Sequence, residues 1–192
     1  MLALTMLLML VPLVSGAQTS GSEWERGTTI AVFGGAASAE GTTPAGGFGA
    51  GWELTPHLTL DGSGWWLGEG RGTTSFAVLL GGRVTLVPAQ RVMPFLSGGF
   101  GVHHASVDLG NRDVPDFYRS RTDTGGGTLQ GTQAFTDAAW AVGAGLDIVV
   151  RQHLSIRPEI RMVAVSAEER TRRVAVWGVH VAYHFEDRFV TP

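Results

Sequence analysis

From residue 27 onward the chain is written in twos. Between Ala139 and Val150, the residues Trp140, Val142, Ala144, Leu146, Ile148 and Val150 share one parity, while Ala141, Gly143, Gly145 and Asp147 share the other. Successive side chains of a strand point to opposite faces, so this segment predicts a strand with one greasy face and one small or charged face. The next segment repeats the contrast more sharply, with Leu154, Ile156, Pro158, Ile160 and Met162 alternating with Ser155, Arg157, Glu159 and Arg161. No stretch after Trp24 keeps the apolar spacing of a helix. The same reading places further strands at 28–38, 46–54, 58–68, 74–87, 93–107 and 173–185, which makes eight. Pro158 has no N–H to give to a ladder and predicts a strand end or a bulge at that point.

The connections add topology. Thr55-Pro56-His57, 87–91 and 151–153 are tight, whereas 39–45, 69–73, 108–136 and 167–172 are longer. Tight turns at one end, longer loops at the other, and an even strand count predict an all-β fold: an eight-stranded antiparallel up-and-down transmembrane β-barrel with both termini at the tight, periplasmic end. A soluble barrel around a ligand would show the same alternation with its greasy face turned inward. The polar face separates the two. It is rich in Gly, Ala and Ser with isolated charges, which suits a narrow interior better than a water-exposed wall. The apolar face carries Trp52, Trp66, Trp140, Trp177, Tyr183 and Phe185, mostly toward strand ends, and these predict aromatic girdles at the two membrane interfaces.

Residues 1–14 are apolar apart from Thr5, too short to span a bilayer, and followed by Ser15-Gly16-Ala17. They predict a signal peptide, 1–17, cleaved after Ala17, although no Lys or Arg precedes the apolar stretch. A short segment 18–26, a barrel 27–185 and a C-terminal extension 186–192 complete the expected organisation. Composition narrows the function classes. All 14 basic residues are Arg, they form no long run, and the net charge is -3, which argues against nucleic-acid binding. The chain has no Cys, so disulfides, thiol catalysis and thiolate metal sites are excluded.

The inward set is Glu53, Asp61, Arg83, Asp147, Arg157, Glu159 and Arg161, four acids against three bases. Charges inside so narrow a barrel must be paired or hydrated, which predicts a lumen plugged by an ion-pair network. His180 and His184 share that face and are expected as hydrogen-bonding partners. His104 and Ser106 share the opposite, lipid-facing side and could place a base beside a nucleophile. His103 and His104 point to opposite faces and cannot chelate one metal. Gly34-Gly35 and Gly98-Gly99 lead into strand rather than a helix N-terminus, so no phosphate-cradling loop and no cofactor is expected. The segment 108–136 mixes charge, Pro115, Phe117-Tyr118 and Gly125-Gly126-Gly127. It is expected to be mobile and to carry contacts with an extracellular ligand.

Four segments carry a resemblance: GGFGAGWEL (46–54), MPFLSGGFGVH (93–103), AVGAGLDIVVRQHLSIRP (141–158) and WGVHVAYHF (177–185). Over essentially all of 27–185 the chain resembles the OmpA/OmpX-like outer-membrane β-barrel domain family. The resemblance implies an outer-membrane location among outer-membrane lipids. It also implies a closing strand, with Trp177, Val179, Val181, Tyr183 and Phe185 on one face, that is read by the barrel-assembly machinery. Members usually stop at the final Phe, whereas here 186–192 follows, and no peptidoglycan-binding domain is expected after the barrel. The family ranges from surface adhesion and envelope integrity to narrow pores. The expectation is therefore a non-enzymatic structural or surface-interaction protein, with a narrow pore as the alternative. A lipid A deacylase-like enzyme acting through His104 and Ser106 is a third reading, weakened because no Asn follows the Ser and no downstream Glu completes the site.

Overall fold

A computed structural model describes residues 27–39, 41–68, 72–111, 114–122, 131–167 and 170–185. The predicted leader 1–17, the segment 18–26, the extension 186–192 and the Gly125-Gly126-Gly127 run lie outside the described residues. The strands are β1 (Thr28–Ser38), β2 (Thr42–Thr55), β3 (Leu58–Gly68), β4 (Thr73–Thr85), β5 (Val92–Asp108), β6 (Thr132–Arg151), β7 (Leu154–Ala167) and β8 (Arg170–His184). They follow one another in sequence order around a closed antiparallel barrel, with β8 pairing back onto β1. Among the described residues one helix, α1 (Asp116–Thr122), lies in the connection between β5 and β6.

Register fixes the shape. Following partners once around from Arg173 through Ala164, Trp140, Phe100, Leu80, Gly62, Ala50 and Ile30 leads to Tyr183, ten residues further along β8. With strands about 4.8 Å apart and about 3.3 Å per residue, that stagger tilts the strands by about 40° from the barrel axis. Each residue then advances about 2.5 Å along the axis, and each step to a neighbouring strand displaces the partner by about 3 Å. Ile30, Val32, Phe48, Leu60, Leu80, Phe100, Val142 and Ile160 are all exposed on the outer wall, while their sequence neighbours line the lumen. Where β4 meets β5, the inner wall approaches itself closely: a Cβ on Gly101 would stand 1.9 Å from the Val78 carbonyl oxygen, and one on Gly81 2.0 Å from that of Gly98.

Three expectations need correction. β6 begins at Thr132 and β7 runs to Ala167, well beyond the apolar pattern. Toward the end of the barrel away from the chain termini the contrast inverts: outward Thr132 and Thr136 are exposed, while inward Phe135 is buried, so the greasy-out signal vanishes although the strand continues. The outer connections are not generally longer, because 39–41, 69–72 and 168–169 span only a few residues and the asymmetry resides in 109–131 alone. Pro158 is at neither a strand end nor a bulge. It pairs with Val179 in unbroken register, and on the β6 side the rungs opposite Arg157 and Pro158 are missing while the register resumes unchanged.

Candidate functional site

Inside the barrel the side chains form layers. The inner half, nearer the chain termini, is polar. Arg157 Nε donates to Asp147 Oδ2 at 2.9 Å across the missing rungs between β6 and β7, with both side chains nearly fully buried. Next to them His184 shares hydrogen bonds with Ser155 (3.0 Å) and Thr29 (3.2 Å). One level further out, Glu159 gathers partners. Ser97 donates to its Oε1 at 2.8 Å, Arg161 Nε donates to the same oxygen at 2.9 Å, and His180 Nε2 stands 3.1 Å from Oε2. The Arg161 guanidinium lies 4.6 Å from the Trp65 ring centroid, and that of Arg83 lies 5.4 Å from Phe95. Arg83 and Asp61 are 3.9 Å apart, a looser pair beside a cavity of about 50 Å³ lined by Asp61, Arg83, Glu159, Arg161 and His180. A space of that size holds a few waters, and their hydrogen bonds would hydrate the less tightly paired Asp61.

The middle layer is apolar. Every strand except β5 contributes to one buried cluster: Phe33, Ala37, Ala45, Trp65, Leu67, Ala77, Leu79, Ala139, Ala141, Val163, Val174 and Val176. The tilt brings these positions, which differ widely in strand number, to neighbouring heights, so the cluster crosses the lumen as a plug. β5 supplies Gly101 there, directly opposite Leu79 and Ala139.

Over the plug sits a cap. Tyr118 of α1 is fully buried, packed with Ala105, Val107, Val114, Phe117, Phe135, Val165 and Ala167 at the outer mouth. Arg121 makes a two-pronged bond to Asp137, 2.8 Å and 2.9 Å, and its guanidinium also lies 4.7 Å from the Phe135 centroid. Arg172 donates to the Tyr118 hydroxyl at 3.4 Å, and Arg170 to Ser120 Oγ. The segment expected to be a mobile loop therefore carries a docked helix over 116–122. Period-two reading could not see it, because a seven-residue helix is too short to display a repeat. Asp137 and Arg172 were within reach, since both have inward parity once the strands are extended.

Of the inward set, the structure brings Asp147 to Arg157 and Glu159 to Arg161, sets Asp61 beside Arg83, and places Glu53 buried at the inner end opposite Thr59. Sequence reasoning missed Ser97, Trp65 and Phe95 as partners. The aromatic set Trp52, Trp66, Trp140, Trp177, Tyr183 and Phe185 faces outward throughout. Trp140 and Trp177 lie inside their strands rather than at the ends. The tilt nevertheless lifts Trp140 to within about 1 Å of the height of Trp66, while Trp52 and Tyr183 share a level about 18 Å lower. His104 and Ser106 do share the outward face, but His104 Nδ1 engages Thr136 Oγ1 at 2.9 Å. Across the strands Ser106 faces Thr74 and Ala134, not an acid. His103 points inward and is fully buried, away from His104.

A closed ring of strands, greasy outside and plugged within, is the geometry of a bilayer-spanning barrel. The sequence profile of the family described as "Outer membrane protein beta-barrel domain" matches residues 3–185. The chain belongs to that family. This outer-membrane barrel shares its fold with Neisserial surface protein A, at 13% identity over 85% of this chain and 97% of that one, TM-score 0.56. The N-terminal barrel of Pseudomonas aeruginosa OprF is similar at 16% identity, covering 83% of this chain and 100% of that one, TM-score 0.51. Ail, the attachment invasion locus protein of Yersinia pestis, solved with the heparin analogue sucrose octasulfate, is 13% identical over 84% of this chain and 100% of that one, TM-score 0.52. No curated protein matches the sequence. The outer-membrane barrel resides in the outer membrane of a Gram-negative bacterium.

Proposed function

We propose that this is a closed, non-conducting barrel serving a structural or surface-interaction role, with partner contacts made at its outer end. The observation that carries the reading is the apolar layer across the lumen. An ion entering the polar inner half would have to shed its water to pass Leu67, Leu79 and Val176, and a dewetted constriction opposes that. The cap adds a second barrier, and its outer side presents Asp116 and Arg119 to the exterior. Ail shares the architecture and was solved with a sulfated ligand, so a barrel of this plan can engage a partner. The test is single-channel recording of the folded protein in a planar bilayer. Silence is expected; stable stepwise conductance altered by Arg157 or Glu159 substitution would overturn the closed reading in favour of a narrow pore.

A further inference from the structure

We propose that Arg173, with the hydroxyls of Ser166 and Thr171, forms a docking point on the barrel's outer wall for the phosphate of an outer-leaflet lipid. Three outward positions of the strands carry a charge. Asp108 and Arg151 are the last residues of β5 and β6, and Asp108 Oδ1 accepts from Gly110 N at the turn. Arg173 alone stands inside a strand, exposed, and among the described residues no carboxylate lies within ion-pair distance of it. A lone cation on a lipid-facing wall is costly at the bilayer midplane and tolerable only near an interface.

The register shows that Arg173 is at such an interface. The outward apolar band runs from Phe76 down to Leu86, a span of about 25 Å along the axis, which matches the hydrocarbon layer. Arg173 lies about 2 Å above Phe76 and about 6 Å above Trp66 and Trp140, at the level where headgroup phosphates begin. Among the described residues, its surroundings offer hydroxyl donors. Ser166 and Thr171 face each other directly across β7 and β8 and are both exposed, with Arg173 diagonal to Ser166. Ala164, between Arg173 on β8 and Trp140 on β6, has no exposure although it faces outward. At this height an arginine can keep its stem against the apolar wall while its guanidinium reaches the interface. A guanidinium flanked by hydroxyl donors matches the oxygens of a phosphate monoester.

The test uses the full protein in detergent, with retained lipid read by native mass spectrometry after incubation with diphosphoryl lipid A or with the same lipid stripped of phosphate. Heat-dependent gel mobility confirms that each variant is folded. The wild-type protein is expected to retain the phosphorylated lipid about fivefold more than Arg173→Gln does. Arg173→Lys should recover part of the difference, and Ser166→Ala with Thr171→Val should lose part of it. Stripped lipid should bind wild type and Arg173→Gln alike. Equal retention of diphosphoryl lipid A by wild type and Arg173→Gln would overturn the proposal. So would competition by millimolar inorganic phosphate alone, because that would make the site one for a free anion.

Discussion

Asp147 and Arg157 face each other where the β6–β7 ladder skips two rungs, so their side chains bridge a gap that backbone hydrogen bonds leave open. Both are nearly fully buried. Removing one partner of such a pair leaves an uncompensated charge, and Arg157→Ala or Asp147→Ala should each destabilise the barrel by about 3 kcal/mol. Heat-dependent gel mobility measures this, and variants melting with wild type would show that the pair contributes little. The double variant should lose less than the sum of the singles, because the orphaned charge is gone. At Gly101 the constraint is steric rather than electrostatic. Its missing Cβ would collide with the Val78 carbonyl, a backbone atom that cannot swing away. Gly101→Val should therefore block assembly into the heat-modifiable form, whereas the same change at Gly98, where a Cβ comes no closer than 3.7 Å to the Ala141 carbonyl, should be tolerated.

At the scale of elements, α1 is too short to be stable alone and owes its form to what it rests on. Its anchors are the buried Tyr118 ring and the forked Arg121–Asp137 bond. Asp137→Ala removes the acceptor from the fork without touching the helix itself. Limited proteolysis of the folded variant should cut within 109–131 about tenfold faster than in wild type, since losing a charge-assisted pair raises the open population by about that factor. An unchanged cleavage rate would mean that apolar packing alone holds the cap. Strand length illustrates the same dependence on context. β6 keeps its ladder up to Thr132 because β5 runs alongside it to Asp108, not because its own sequence alternates there.

For the whole molecule, the plug and the cap are separate barriers. Replacing the cap segment with a short flexible linker should leave the barrel silent in a planar bilayer, because the apolar layer beneath still spans the lumen. Conductance in that variant would assign closure to the cap and demote the plug. Outward apolar positions, inward small and charged positions, strand count and topology were all legible in the sequence, because lipid outside and a narrow lumen inside impose opposite demands on alternate residues. The inward parity of Arg157, Glu159 and Arg161 was legible for the same reason. Which acid each base meets was not. Pairing depends on the register between neighbouring strands for Asp147 with Arg157 and Asp61 with Arg83, and on which way the side chains lean within β7 for Glu159 with Arg161, neither of which parity encodes. The stagger of ten residues around the ring raises mid-strand Trp140 to the level of Trp66, gathers the apolar plug from seven strands, and sets Arg173 at the membrane edge. The sequence by itself determined which face of every strand meets lipid, because that is a local choice repeated every second residue. Only the assembled barrel decided height and partnership, because tilt converts position along a strand into depth in the membrane and strand register sets which side chains meet.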